Sequence, residues 1–243
     1  MKKSFFWIAL FHIAIVQTNM AQIEKDIIKT NKGDLEIWFV GHGSLIFNFN
    51  DQIIHVDPFS QQADYATLPK ADLILITHEH GDHLDKAAIA AIRKPDTRIV
   101  SNPSAGEVLN EGTVMKNNES ITIMGLTIES VPAYNIVHMR SENNPFHPKG
   151  VGNGYIITFG NVRVYIAGDT EDIPEMAHIK NIDVAFLPMN LPYTMTPQMA
   201  AKAAKTFRPK ILYPYHFGKT NTNELINLLK DEKDIEVRIR KME

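Results

Sequence analysis

The sequence contains no cysteine among its 243 residues. This absence excludes disulfide bonds, thiolate metal ligands and cysteine nucleophiles, so a metal ion would have to be held by histidine, aspartate or glutamate. An exported protein can fold without disulfides when its core is large enough, and a chain of this length can form such a core. The sequence therefore predicts one domain that is stabilised by hydrophobic packing.

A strong excess of either charge is also absent. The chain has 25 Lys and Arg against 28 Asp and Glu, which gives a formal net charge of −3. Proteins that bind nucleic acids usually carry a basic surface, so we predict no nucleic-acid partner.

No apolar run is long enough to span a membrane, which takes about 20 residues. The run Phe5–Val16 follows a short basic start and precedes a polar segment, and this layout is typical of a secretory signal peptide. We predict a signal peptide at 1–21 with cleavage before Gln22. The mature protein is then exported, periplasmic or secreted, without stable membrane insertion. An uncleaved membrane anchor and a buried N-terminal helix are the alternatives.

The remainder, 22–243, alternates strand and helix patterns in two similar halves. Each half has a meander of strands followed by buried strands and helices, which indicates an α/β fold and a four-layer αββα sandwich. The predicted strands and hairpins are Asp34–Val40, Ser44–Asn50, Gln52–Asp57, Asp72–Thr77, Arg98–Asn102, Ile121–Val131, Tyr155–Gly168, Asp183–Met189 and Lys210–His216. The predicted helices are Asp85–Lys94, Ser104–Gly112, Thr196–Phe207 and Glu224–Glu232, with Asp85 and Thr196 as caps.

A cluster of histidines and acids follows the apolar strand LILI, in the stretch LILITHEHGDHLD. Neutral imidazoles and carboxylates are good ligands for zinc and similar divalent ions. His78 and His80 can hold one ion, and Asp82 and His83 can reach a neighbouring one. The alternative is a solvated polar loop that is rich in histidine.

Three further residues stand at the ends of predicted strands. Asp57 ends HVD, Asp169 follows YIAG and His216 ends ILYPYH. Each has a structural alternative: Asp57 can start a turn, Asp169 can cap one, and His216 can be a core histidine with satisfied hydrogen bonds.

The motif THEHGDH resembles the signature of the metallo-β-lactamase fold hydrolases, and the other motifs follow in the family's order. The resemblance implies the αββα fold of that family, with metal ions between the two sheets. It implies that Asp169 bridges two ions and that His216 completes the second site with Asp82 and His83. By the same resemblance, Asp57 orients the ligand loop.

The third ligand of the first site departs from the family pattern. Most members have a histidine in a turn midway along the chain, and here that turn reads VPAYN with Asn135, a poor zinc ligand. His147 lies in a segment similar to the small single-domain hydrolases that resemble ascorbate-6-phosphate lactonase and N-acyl phosphatidylethanolamine phospholipase D. We predict His147 as the ligand, with His138 as the alternative. A site in which neither binds, with looser coordination or one ion, is the other alternative.

The resemblance implies two divalent metal ions, zinc with manganese or iron as alternatives. It also implies that Asp82 is the catalytic residue, which orients a metal-activated water and carries its proton. We therefore predict an exported metal-dependent hydrolase that cleaves an ester, lactone or phosphodiester bond in a small-molecule substrate. The alternatives are a non-catalytic metal-stabilised binding protein, a β-lactamase and an iron oxidoreductase.

Two residues near the expected site are candidates for substrate contact. His42 lies in Gly41-His42-Gly43, and Tyr193 lies in the loop Asn190–Pro197. Their structural alternatives are a tight turn and a helix-capping loop. Lys149 is predicted to face solvent, with contact to an anionic substrate as the alternative.

Overall fold

The computed structural model describes residues 23–243, and the predicted signal peptide lies outside the described residues. Two seven-stranded sheets form the centre of the fold. The first sheet contains, in spatial order, β1 (Glu24–Thr30), β2 (Gly33–Gly41), β3 (Ser44–Phe49), β4 (Gln52–Val56), β5 (Leu73–Ile76), β6 (Arg98–Ser101) and β7 (Thr113–Val114). The second contains β16 (Glu236–Val237), β15 (Ile211–Tyr215), β14 (Val184–Pro188), β13 (Val162–Ile166), β12 (Gly152–Phe159), β9 (Leu126–Ala133) and β8 (Ser120–Ile123).

The two sheets have the same internal plan. Strands β1 to β4 are antiparallel, and β4 to β7 are parallel. In the second sheet, β8, β9, β12 and β13 are antiparallel, and β13 to β16 are parallel. Parallel neighbours need crossover connections. Helices lie in these connections: α1 (Lys86–Ile92), α2 (Pro103–Leu109), α3 (Pro197–Phe207), α4 (Thr222–Leu229) and a 3₁₀ helix at Pro174–His178.

Strand β5 explains how the layers pack. All four of its residues are buried, and successive side chains point to opposite faces of a sheet. Leu73 and Leu75 belong to the core that also contains residues of the second sheet, such as Ile157. Ile74 and Ile76 pack in a second cluster with Ile89 of α1. The first sheet is thus covered by its partner on one face and by helices on the other, and the predicted αββα sandwich is confirmed.

Local signals agree with the predicted helix starts. Asp85 caps α1 by accepting from the N–H groups of Ala87 and Ala88 at 2.8 and 3.2 Å. Thr196 caps α3 by accepting from the N–H of Met199 at 3.1 Å. Both predicted caps are confirmed, since a short polar side chain here satisfies donors that have no partner inside the helix.

Some elements were not predicted: the edge strands β1, β7 and β16, the 3₁₀ helix at Pro174–His178, and a small hairpin of β10 (Met139–Ser141) and β11 (Asn144–Pro145). The hairpin connects the Asn135 turn to His147, so it bears directly on the site. None of the helices in the described residues is long and apolar enough to cross a membrane.

Candidate metal centre

The histidine-rich loop after β5 meets the strand ends of the second sheet. His78 follows β5, Asp169 follows β13 and His216 follows β15. The backbone N–H of Asn153 donates to the carbonyl oxygen of Thr77 over 3.0 Å and ties the sheets together beside this loop. The site therefore forms where the ends of strands from both sheets come together.

Gly168 allows this close approach. Its φ is 66°, and an added Cβ would lie 2.8 Å from the carbonyl oxygen of Asn153 and 3.2 Å from Cβ of Thr77. Its N–H donates to the Tyr215 hydroxyl at 2.9 Å. A residue with a side chain could not take this position without displacing backbone, so glycine must precede Asp169.

Three imidazoles form what we name the first donor group: His78, His80 and His147. Their ligand atoms lie within 4.8 Å of one another. Nε2 of His78 is 3.1 Å from Nδ1 of His80. Of the two histidines that the sequence offered as a third ligand, the structure brings His147 to this pair.

The second donor group consists of Asp82, His83 and His216. Oδ2 of Asp82 is 3.7 Å from Nε2 of His83 and 3.5 Å from Nε2 of His216. The two imidazole rings are stacked, with 5.1 Å between their centroids. His83 and His216 are buried, whereas the Asp82 side chain is 38% exposed. One ligand of this group is thus accessible to solvent.

Asp169 lies between the two donor groups. Its Oδ2 is 3.2 Å from Nε2 of His147 and 3.6 Å from Nε2 of His216, and its Oδ1 is 3.5 Å from Nε2 of His83. Burial acts to raise the pKa of Asp169, but the His216 and His83 imidazoles lower it well below its usual range. The carboxylate is therefore ionised in a position from which it can reach both groups.

The centre contains buried polar atoms that fit a bound cation. Among the described residues, Oδ1 of Asp169, Nε2 of His83 and Nε2 of His216 are buried without a hydrogen-bond partner. Such atoms are rare in folded proteins and call for an explanation. A set of imidazole nitrogens and carboxylate oxygens that face one another is the donor set that divalent metal ions prefer.

Asp57 orients His83. The carboxylate is fully buried. Its Oδ2 is 2.8 Å from Nδ1 of His83 and accepts from the Thr77 hydroxyl at 2.7 Å, while its Oδ1 accepts from the Thr77 N–H at 2.8 Å. With Nδ1–H donated to Asp57, Nε2 of His83 is directed at the centre.

The electrostatics around His83 favour a positive charge. Burial acts to lower the pKa of His83, but the carboxylates of Asp169 and Asp57 raise it to about 10. A divalent cation bound by His83 would supply this positive charge in place of a proton.

Asn135 orients His147 in the same way. Its Oδ1 is 2.7 Å from Nδ1 of His147 and accepts from the His147 N–H at 2.9 Å. Its Nδ2 donates to the carbonyl oxygen of Tyr193 at 2.8 Å and to Glu171 at 3.1 Å. These two bonds fix which end of the amide faces His147, so His147 donates from Nδ1 and directs Nε2 towards Asp169.

Glu171 holds the loop that carries Asn135. This fully buried carboxylate accepts from the backbone N–H groups of Ile136, Val137 and His138, each at 2.7 Å. Burial acts to raise the pKa of Glu171, but the three N–H donors keep it below its ordinary value. Sequence reasoning missed this residue. The one available signal was an acid two positions after Asp169.

The other predicted residues have different surroundings. Nδ1 of His138 is 2.7 Å from Oε1 of Glu171, outside both donor groups. Nζ of Lys149 is 2.8 Å from Oε1 of Glu175, and the lysine side chain is 66% exposed, which confirms that it faces solvent.

The two candidates for substrate contact flank the centre. Nε2 of His42 is 2.9 Å from Oδ2 of Asp82, and its ring centroid is 3.7 Å from that of His216. The Tyr193 ring is exposed and packs edge-on against Phe146, with 5.0 Å between centroids. Phe146 precedes His147, and the Tyr193 carbonyl oxygen accepts from Nδ2 of Asn135, so Tyr193 contacts two neighbours of the ligand His147.

Comparisons with known proteins agree with this site. A family model described as "Beta-lactamase superfamily domain" matches residues 36–216, which include every residue of both donor groups. A UPF0173 metal-dependent hydrolase of Thermococcus kodakarensis is 33% identical over 197 residues, which cover 76% of this chain and 85% of the relative.

Solved structures agree as well. A crystal structure from Parabacteroides distasonis, assigned as a metal-dependent hydrolase, is 53% identical with a TM-score of 0.87, and covers 91% of this chain and 100% of its own. Igni18, a metallo hydrolase from Ignicoccus hospitalis, is 26% identical with a TM-score of 0.71, and covers 85% and 95%. The resemblance in the THEHGDH motif is thereby confirmed, and the chain belongs to the β-lactamase superfamily as a metal-dependent hydrolase of the UPF0173 family.

Proposed function

We propose that the protein is an exported hydrolase that binds two divalent metal ions and cleaves an ester, lactone or phosphodiester bond. We expect the metal to be zinc. One observation carries the proposal. The ionised Asp169 lies between two donor groups, and buried atoms of His83, His216 and Asp169 itself have no partner among the described residues. Manganese and iron are the alternatives to zinc, because the same oxygen and nitrogen donors suit them.

Each donor group would hold one ion, and Asp169 would bridge them. His78, His80 and His147 serve the first ion, and Asp82, His83 and His216 serve the second. Divalent ions bound in such a pair lower the pKa of a water molecule and polarise the bond under attack. Neutral imidazoles suit this role, since a ligand nitrogen must be free of its proton.

Asp82 is the catalytic residue of the proposal. It is the one half-exposed member of the second donor group, so water and substrate can reach it. Burial acts to raise the pKa of Asp82, but the His216 and His42 imidazoles lower it below its usual range. The carboxylate is therefore ionised and can orient a water molecule by accepting its proton in a hydrogen bond.

The bond type is supported by the segment around His147, which resembles enzymes that act on lactones and phosphodiesters. Tyr193, which packs against Phe146 next to His147, is the proposed substrate contact, and His42, the other candidate, contacts Asp82 and His216 of the second donor group. Tyr193 is exposed and Asp82 is half-exposed, whereas His83, His147, Asp169 and His216 are buried.

Export is supported by the basic start and the apolar run Phe5–Val16. N-terminal sequencing of the protein from the producing cells tests it. We expect a mature chain that begins at Gln22 in the exported fraction. A chain that still begins at Met1 in the cell interior would contradict export and leave the hydrolase proposal intact.

The central experiment measures metal content and hydrolysis on the same preparation. Elemental analysis of the chain from Gln22 is expected to give about two zinc or manganese ions per chain. A panel of lactones, carboxylic esters and phosphodiesters is then tested on the loaded, the chelated and the reloaded protein. We expect at least one class to be cleaved by the loaded and reloaded forms alone.

Matched variants separate a metal enzyme from a metal-stabilised binding protein. His147→Asn removes a proposed ligand, and His138→Asn removes a histidine nearby that lies outside both groups. We expect His147→Asn to lose an ion and the hydrolytic activity, and His138→Asn to keep both. Two bound ions without hydrolysis of any class would favour a binding protein, and no bound ion would overturn the proposal.

A further inference from the structure

His42 is packed more closely against the second donor group than a substrate contact requires. It lies in the turn Gly41–Gly43 with a φ of 52°, between β2 and β3. The backbone N–H of His216 donates to the carbonyl oxygen of His42 at 2.8 Å. This bond fixes the turn of the first sheet to a ligand of the second sheet.

The glycine after His42 makes this packing possible. An added Cβ at Gly43 would lie 3.0 Å from Cε1 of His83 and 3.5 Å from Cδ2 of His216. The turn therefore lies directly against two members of the second donor group, at a distance that favours a residue without a side chain.

The imidazole of His42 lies against the ligand residues of the second donor group. Its Nε2 is 2.9 Å from Oδ2 of Asp82, and its ring lies 3.7 Å from the ring of His216. The ligand atoms of His42, Asp82, His83 and His216 all lie within 4.8 Å of one another. This spacing is as close as that of the first donor group.

We infer that His42 is a further protein ligand of the second metal position. With Asp169, that position then has five protein donors, against four at the first position. Four donors favour the tetrahedral geometry of zinc, and a larger set of nitrogen and oxygen donors favours ions with higher coordination numbers, such as Mn²⁺ or Fe²⁺. The inference rests on the proposed function, because it assigns one more ligand to the same pair of ions.

Cobalt substitution tests the inference without reference to activity. Co²⁺ is titrated into the metal-free chain, and its visible absorption bands are recorded. These bands are weak when Co²⁺ has five or six ligands and stronger when it has four. The bands that His216→Gln abolishes identify the second position. His42→Asn is the test variant, because asparagine adopts a positive φ readily and lacks the imidazole.

We expect His42→Asn to weaken binding of one ion by about tenfold or more and to intensify the bands of the second position. The matched control His138→Asn, which removes a histidine outside both groups, should leave both ions and the bands unchanged. When Mn²⁺ and Zn²⁺ compete for the second position, His42→Asn should also lower the affinity for Mn²⁺ relative to the affinity for Zn²⁺.

Two results would overturn the inference. Unchanged affinity and bands with a raised KM would make His42 a substrate contact, and weaker binding with unchanged bands would mean that it only holds Asp82. If His42→Asn does not fold by circular dichroism, His42→Gly, which suits the turn best, replaces it. A wild-type chain that binds no Co²⁺ would overturn the proposed function too. If the wild-type chain binds two ions and His42→Asn changes neither the affinity nor the bands, this inference alone is overturned.

Discussion

His83 and His147 are oriented alike, by groups of different charge. Each presents Nε2 to the centre and is held through Nδ1, at 2.8 Å by the Asp57 carboxylate and at 2.7 Å by the Asn135 amide. Behind the amide stands Glu171, whose carboxylate accepts from Nδ2 of Asn135. A buried carboxylate therefore supports both histidines, directly in one case and through an amide in the other.

A residue that supports a metal-binding histidine can orient the imidazole and can also raise its basicity, and Asp57 and Asn135 differ in the second of these effects. A carboxylate in contact with an imidazole orients it and also makes it a more basic ligand. An amide in the same position orients the ring but carries no charge. We therefore expect the second position to bind its ion more tightly than the first, so that the two ions bind in sequence.

Asp57→Ala should have the largest effect. It leaves the Thr77 N–H, the Thr77 hydroxyl and Nδ1 of His83 without their acceptor in a fully buried place. Because unpaired buried donors are costly, we expect unfolding free energy to fall by about 3 kcal/mol. We also expect affinity at the second position to fall about 100-fold. Urea unfolding measures the free energy and metal titration measures the affinity. Wild-type values for both would refute the role of Asp57.

Asn135→Ala should have a smaller effect at the other position. It frees the His147 ring and removes one donor from Glu171. We expect affinity at the first position to fall about tenfold, while the second position is unchanged. His138→Asn is the control in metal titrations. Loss of metal affinity at both positions, or at neither, would contradict the separate support of the two histidines.

Glu171→Gln should lower stability in a pH-dependent way. The pKa of Glu171 is lowered in the folded chain, so the stability it contributes is present above its ordinary value of 4.5 and is lost as pH falls through the lowered pKa. At pH 7 we expect the variant to be less stable by about 1.5 kcal/mol, because charged hydrogen bonds to the loop are lost. The difference should narrow below pH 4.5 in urea unfolding of the metal-free chain. A difference that is constant with pH would rule out the charge as its cause.

Lys149→Ala should have the smallest effect. The lysine lies close to His147 in sequence but pairs with Glu175 in solvent. Exposed pairs contribute little, so we expect no measurable change in unfolding free energy and no change in metal affinity. A loss of metal affinity would place Lys149 in the support of the first position.

The sequence was most informative where ligands are adjacent in the chain. His78, His80, Asp82 and His83 form one short loop after a buried strand, so their types and spacing predict their meeting. The layers were predictable for a similar reason, because a strand such as β5 that is apolar at every position must be covered on both faces. Edge strands such as β1 carry no such pattern and were missed.

The support of His147 could not be read from the sequence. From the sequence, Asn135 was only a poor zinc ligand at the turn where most family members have a histidine. A residue type shows what a side chain can bind but not which partner faces it. The role of Glu171 depends on backbone N–H groups of residues 136–138, and these groups are the same in any sequence without proline. A buried acid held by backbone is therefore visible only once the loop is folded.

The most direct test of the account is a crystal structure of the zinc-loaded chain with anomalous diffraction at the zinc edge. We expect two peaks, one among His78, His80 and His147 and one among Asp82, His83 and His216, with Asp169 between them. A single peak, or peaks outside both donor groups, would contradict the binuclear centre on which the account rests.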